Sequence, residues 1–556
     1  MKKYMILVVC LGLLLFSCQT NNDWLTKDLG QGIYSLTNTK EASSVNPVKR
    51  DFPGGRGPND LVVYTPEFGK RTGTNEWGIE AVVDNGYIIS IGGNNSLIPE
   101  NGMVISGNEL ASQWINNNLT VGMKVDITEN TINYVKSENT SIYRARVIYE
   151  KILKRIDEKK LDFNDQVSHC NEEVAELFKQ FCEAKRNENV DDAKVYSTQI
   201  LKQVQNLFYQ TFTPKKDEFR GVWIRLNDKT PAQLKNTIKR MADAGINAIL
   251  PESIYNGYSI YPNAHQLMPQ LPQFEGWDPM AVMIEECKKY NIKVIPWCEM
   301  FFIGGKNSPI AKKKPEWLGK FRYGKTAAVL EPGFQYLCPS RPEVHKFLLE
   351  ILDTLLTRYD LSEIQLDYIR YSLSEPWEKG ACYCDFCQKK VKKQNHFDIK
   401  KITPENKNEW KQWNEYRINN ITSFVAEVND LVQKKHPNVD LSADVVPNPK
   451  LSLEHKFQDW KSWIDKSMID VVYIMSYSID NKTVHDDSKS MIDILKGSST
   501  EGVVGLGPYM GFQPDVLLEQ IEIARDYGAK GVCLFSFNAL NEEQINALKL
   551  GPFRKL

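Results

Sequence analysis

The chain has 556 residues, a formal net charge of −1 and 25% charged residues. That length is too great for one ordinary domain, and the even charge balance removes the basic surface on which nucleic-acid binding depends, so no nucleic-acid partner is expected. Apolar residues make up 42% of the chain, enough for a large core, and 12 Trp, 24 Tyr and 23 Phe supply flat faces for packing or for stacking on a ligand.

The chain begins "MKKYMILVVCLGLLLFSCQT". Two lysines precede a short apolar run that closes on Ser17 and Cys18, which predicts a signal peptide over residues 1–17 and not a membrane span. "LFSC" resembles a bacterial lipoprotein cleavage box, with Cys18 as the acylated first mature residue. The expected location is therefore a lipid anchor in the bacterial envelope, at the outer membrane and facing the periplasm or the outside. The membrane would be touched through the anchor alone.

Residues 18–60 are polar and rich in Asn, Gly and Pro, and read as a tether. From 61 to 130 short apolar runs alternate with turn signals ("LVVYTP", "GIEAVVDNGYIISIGG", "VGMKVDI"), which predicts a small all-β domain with a hairpin at "DNG". From 131 to 215 the apolar spacing becomes helical, as in "YRARVIYEKILKRIDEKK". This segment is either packed against its neighbours or a spacer.

From 216 to 556 the pattern is strand, helix, strand, helix. "FRGVWIRL" is followed by a helix that Thr230 and Pro231 can start. "NAILPES", "IKVIPWCEM", "EIQLDYIRY", "VDLSADVVP", "IDVVYIMSY", "GVVGLGPYM" and "AKGVCLFSF" follow, with helical stretches between them. Eight such units predict an α/β (β/α)8 TIM barrel as a self-contained catalytic domain. An open doubly wound sheet is disfavoured, because no glycine-rich phosphate loop follows the first strand.

Active sites of such barrels lie at the C-terminal ends of the strands. Reading those ends in order brings Trp223, Arg225, Glu252, Trp297, Glu299, Asp367, Arg370, Tyr371, Asp444, Tyr477, Tyr509 and Phe537 to one mouth. Four carboxyl groups among aromatic platforms suit glycoside cleavage, in which one carboxyl protonates the leaving oxygen and an ionised one attacks the sugar carbon or activates water. A barrel metallohydrolase would place histidines there, and none of the 7 His falls at a predicted strand end. Asp367 is assigned the ionised role, with Glu299 or Asp444 as the acid. The remaining residues of the set are expected to hold an oligo- or polysaccharide substrate. Each has a structural alternative: an acid can be a cap or salt-bridge partner, an arginine can neutralise its neighbours, and an aromatic can be core. No cofactor or catalytic metal is called for. The competing function is a glycan-binding envelope lipoprotein without catalysis, which would tolerate loss of Asp367.

Nine of the 11 cysteines lie beyond Cys18, and three of them cluster as "CYCDFC", Cys382, Cys384 and Cys387, with His396 beyond. Together with that histidine they could hold a structural zinc, or the three thiols could form a disulfide and a free thiol.

"EFRGVWIRL", "IQLDYIRY", "DVVYIMSY" and "GVCLFSF" resemble the signature strands of the glycosyl-hydrolase-like 10 family, barrel proteins of bacterial envelopes. The resemblance covers about residues 216–550 and implies glycan hydrolysis. The family often carries a second aspartate in the fourth-strand block, where this chain has Tyr368 after Asp367.

Overall fold

The computed structural model describes residues 61–74, 78–128, 131–511 and 513–555, and the backbone of two further strands, β1 (Leu25–Asp28) and β2 (Ile33–Leu36). Cys18 and the signal peptide lie outside the described residues. No helix among the described residues is long and apolar enough to cross a membrane.

The N-terminal unit is one eight-stranded sheet. Strands β3 (Leu61–Tyr64), β4 (Gly78–Asp84), β5 (Tyr87–Ile91) and β6 (Gly102–Asn108) are followed by α1 (Glu109–Asn118), then β7 (Lys124–Thr128) and β8 (Thr131–Val135). The spatial order is β1-β8-β7-β5-β4-β6-β3-β2. Residues 18–60, read as a tether, thus contribute both edge strands, β1 along β8 and β2 parallel to β3. The "DNG" signal forms the β4–β5 hairpin, with Asn85 and Gly86 at φ 48° and 78°. Two consecutive positive φ values are what a type I′ turn demands. Alternation along the strands sends Leu61, Val63, Ala81, Val83 and Ile105 to one face, where Ala111 and Ile115 of α1 cover them.

Three antiparallel helices follow: α2 (Glu138–Lys159), α3 (Asn164–Arg186) and α4 (Val190–Gln210). They are not a spacer. Phe208 and Phe212 at the end of this segment are buried in the same apolar cluster as the outer layer of the barrel. Arg155 forks onto Glu522 at 2.9 and 3.1 Å and lies over the Phe212 ring at 3.7 Å. Lys151 pairs with Asp515 at 2.7 Å.

The barrel runs β9 (Phe219–Ile224), α5 (Pro231–Asp243), β10 (Ala248–Tyr255), the short β11 (Tyr258–Ser259), α6 (Pro279–Lys288), β12 (Lys293–Val294) and β13 (Trp297–Glu299). It continues with α7 (Pro309–Lys313), α8 (Pro342–Arg358), β14 (Glu363–Asp367), α9 (Asp385–Asn395), α10 (Lys407–Lys435), β15 (Asp440–Val445), α11 (Pro449–Lys456) and α12 (Trp460–Asp465). It ends with β16 (Val471–Met475), α13 (Asn481–Leu495), β17 (Glu501–Leu506), α14 (Pro514–Tyr527), β18 (Gly531–Phe535) and α15 (Glu542–Leu550). Strands β10, β13, β14, β15, β16, β17, β18 and β9 are parallel neighbours, and β9 pairs with β10 to close the ring. Thr230 caps α5 by accepting from the Gln233 N–H at 3.3 Å, with Pro231 at the first helical position. The third predicted strand is split in two around Pro296, which has no N–H for the ladder.

The side-chain period of two decides what enters the barrel. Phe219 and Trp223, Ala248 and Leu250, Ile295 and Trp297, Val471 and Tyr473 form its inner core. Continuing that alternation by one step on β10 and β13 turns Glu252 and Glu299 inward at the top layer.

A chain starting at Pro214 is expected to bind a hydrophobic dye and to melt below the full chain, because Phe208, Phe212 and the Arg155 fork are removed. A chain starting at Ser137 should keep one cooperative transition. Calorimetry of the two truncations checks this, and a Pro214 chain as stable as the full one would show that the barrel folds independently of the helical segment.

Candidate active site at the barrel mouth

Four carboxyl groups stand on four adjacent strands. Glu299 and Asp367 are register partners across β13 and β14, and Glu252 faces Trp297 across β10 and β13. Asp367 and Asp444 lie one residue beyond the last β14–β15 pair, Leu366 with Ala443. All four are buried, Asp367 the least so at 6% exposure.

Their surroundings differ, and the differences assign protons. Asp367 accepts from the Trp297 indole at 3.0 Å on one oxygen and from the Tyr368 backbone N–H at 2.5 Å on the other. Tyr368 is at φ 50°, an uncommon conformation for a bulky residue at the end of a strand. Burial pushes the Asp367 carboxyl up, while the two donors and the charge of Arg370 pull it back. Asp444 has no such help. Its Oδ1 has no hydrogen-bond partner, and burial together with the Asp367 and Glu363 charges pushes it well above the usual carboxylate range. A carboxyl in that setting favours its protonated form.

Glu299 is also raised well above its ordinary value, by burial and by Glu252 beside it, although the Asn256 N–H donates to its Oε2 at 3.0 Å. Glu252 is raised by burial, against the pull of Arg225, whose guanidinium meets it at 2.8 and 3.0 Å, and of a hydrogen bond from Glu299. Glu252 is pushed up to about 7, and Glu299, more deeply buried and beside the Glu252 charge, is raised well above its ordinary value, so Glu299 is the more strongly protonated of the two.

The aromatic wall consists of Tyr477, Tyr509 and Phe535. Tyr477 stacks on Phe535 at 5.4 Å, and Tyr509 meets both edge-on at 5.7 Å while remaining 51% exposed. Arg225 lies over the Trp297 and Phe535 rings at 5.6 and 5.7 Å.

Some residues predicted for the substrate wall stand elsewhere. Trp223 is sealed in the barrel interior, donating to Gln365 at 2.7 Å, and Trp297 is buried as the support of Asp367. Phe537 follows the end of β18, where a short 3-10 turn carries it outside the barrel. There it packs in the outer core with Arg240 of α5 over its ring, and Phe535 holds the wall position instead. Tyr371 leaves the mouth with the chain after β14, packs on Phe457 at 5.5 Å and accepts from Asn420 at 3.1 Å. Arg370 pairs with Glu331 at 3.0 Å and lies over Tyr368 at 4.6 Å. Glu331 also binds Lys456 at 3.2 Å. Nothing local in the sequence marks Glu331 as the partner, since it comes from the long β13–α8 connection.

Comparison with known proteins decides the family. The Glycosyl hydrolase-like 10 model matches residues 218–502, about half of the chain. The chain belongs to the glycosyl hydrolase-like 10 family. The matched stretch holds all four carboxyl groups, while Tyr509 and Phe535 of the wall lie beyond it. A curated relative, Glycosyl hydrolase YngK from Bacillus subtilis, is 23% identical over 248 residues, 40% of this chain and 44% of that protein. The chain thus spans less than half the length of that family relative. Among solved structures, the glycoside hydrolase domain of PgaB (BpsB) from Bordetella bronchiseptica matches with 13% identity and a TM-score of 0.48, over 61% of this chain and 100% of that one. The catalytic domain of β-amylase from Paenibacillus polymyxa matches with 14% identity and a TM-score of 0.43, over 59% and 95%.

Asp444→Asn gives a pH test of this electrostatic layout. A carboxyl whose folded pKa is raised contributes stability that is present below its unfolded value near 4 and is lost as pH rises through the folded value. The amide cannot ionise. The variant is therefore expected to gain on the wild type as pH rises from 5 to 8, by up to about 1.4 kcal/mol per pH unit. Denaturant unfolding at both pH values reads the difference, and a constant gap would mean that Asp444 has no raised pKa.

Proposed function

We propose that the chain is a glycoside hydrolase acting on an oligo- or polysaccharide at the C-terminal mouth of its barrel, tethered to an envelope membrane through an acyl chain on Cys18. Asp367 is the ionised carboxylate, nucleophile or base. Asp444, its neighbour on β15, is the acid that protonates the leaving oxygen. The observation that carries this reading is the contrast between the two: Asp367 receives two N–H donors, and the Asp444 Oδ1 receives none. Donors aimed at a carboxylate favour its charge, and burial without donors favours the acid form, so adjacent strand ends present an acid–base pair. Glu299, proposed from the sequence as an alternative acid, has its proton engaged by Glu252 and is better suited to keeping that neighbour in place. Glu252 and Arg225 would bind sugar hydroxyls, and Tyr477, Tyr509 and Phe535 would stack on a ring face.

Family membership and the name of the Bacillus relative support hydrolysis of a glycosidic bond. A screen of the full chain, extracted from membranes, against cell-wall strands and polysaccharides would identify the substrate. On that substrate Asp367→Asn is expected to reduce turnover by about 10³-fold or more, equivalent to roughly 4 kcal/mol, with the fold retained. Intact mass of the same preparation should include the acyl chain on Cys18. Full activity in Asp367→Asn would remove the catalytic assignment. Binding by both proteins with cleavage by neither would establish the binding-module reading.

A further inference from the structure

The "CYCDFC" cluster acquires a fourth member that the sequence does not suggest. His396 ends α9 in a left-handed conformation as its C-cap, and Cys338, from the chain just before α8, joins Cys382, Cys384 and Cys387 instead. All four thiols are buried, and their sulfur atoms lie within 4.8 Å of one another. Cys338 Sγ is 3.5 Å from Cys387 Sγ and 3.6 Å from Cys384 Sγ. A disulfide needs about 2.05 Å. A tetrahedron with Zn–S bonds of about 2.3 Å has edges of about 3.8 Å. The observed spacing fits four thiolates around one ion better than it fits two bonded pairs.

The charges around the cluster point the same way. Arg417 is buried at 2% exposure, with its guanidinium stacked 3.7 Å from the Phe457 ring centroid and 4.8 Å from that of Trp413. Its hydrogen bonds go to the Ala381 carbonyl and the Asn414 side-chain oxygen, both uncharged, and its Nε has no partner. Arg341 also lies near Cys338 and Cys384, but its charge is already met by Glu343 at 2.9 Å, so Arg417 is the cation of interest. A guanidinium stays charged in proteins, so burying one without a carboxylate is costly unless another anion is near. A divalent ion with four thiolates carries a net charge of −2, an anionic centre that the buried Arg417 guanidinium would offset.

We infer that Cys338, Cys382, Cys384 and Cys387 form a closed, structural tetrathiolate zinc site. With four protein ligands it has no open position, and it takes no part in the chemistry at the mouth. It fastens the β13–α8 connection, which carries Glu331 and Tyr336, to the insertion after β14. That joins the connection that holds Arg370, through Glu331 at 3.0 Å and the Tyr336 hydroxyl at 3.3 Å, to the stretch that follows Arg370.

The test uses the full-length chain purified without chelator. Elemental analysis should find roughly one zinc per chain, and a mercurial that titrates the thiols should release it stoichiometrically to a colorimetric chelator. Cys338→Ser and Cys384→Ser should each lose the metal, while His396→Ala should keep it. Because a cysteine variant can fail to fold, the wild-type metal content and the intact non-reduced mass stand as independent readings. A metal-free chain, iron in place of zinc, zinc retained in folded Cys338→Ser, or a mass lowered by the hydrogens lost in a disulfide among these four residues would each overturn the inference.

Discussion

The inward face of β14 sets the terms for the rest of the barrel. Its three inward residues are Glu363, Gln365 and Asp367, and β15 beside it turns Ser442 and Asp444 inward, where β9, β10, β13 and β16 place rings and aliphatic side chains such as Trp223, Leu250, Trp297 and Val471. Each accepts a hydrogen bond from an aromatic side chain of another strand: Tyr473 to Glu363 at 2.8 Å, Trp223 to Gln365 at 2.7 Å and Trp297 to Asp367 at 3.0 Å. A buried acceptor left unmatched costs on the order of 1–3 kcal/mol, so large aromatic donors are required at those positions. The barrel is filled by rings because β14 presents acceptors inside that only long side-chain donors from other strands reach.

That requirement reaches the candidate site. Trp297 cannot both hold Asp367 and lie open as a sugar platform, so the platform role passes to Tyr477, Tyr509 and Phe535 at the rim. The same burial that excludes water from the interior raises all four mouth carboxyls. What separates them is the supply of donors, and donors reach Asp367 from a side chain and from the backbone just after it. A site that must hold one carboxyl charged and its neighbour neutral can do so with few residues when the surroundings are dry.

The barrel was legible because its signal is periodic: apolar runs of strand length alternate with helical spacing, and strand ends can be located within a residue or two. The four carboxyls followed from that reading, since parity along β10, β13, β14 and β15 places Glu252, Glu299, Asp367 and Asp444 inward. Beyond the strand ends periodicity stops. Phe537 and Tyr371 sit where the chain turns out of the barrel, and no local pattern says which way a turn carries a ring. Glu331 and Cys338 belong to a long connection whose return path is set by contacts with α10, α11 and the insertion after β14. The helical segment shows the same limit, because amphipathic spacing reveals an apolar face and leaves open what covers it.

The central claim is that the mouth holds a charged Asp367 beside a protonated Asp444. A carboxyl-carbon NMR titration of the full chain, with Asp367→Asn and Asp444→Asn spectra to assign the two resonances, measures it directly. The account predicts that at pH 7 the Asp367 carbon shows the ionised shift and the Asp444 carbon the protonated one. An ionised Asp444 beside a protonated Asp367 would contradict it.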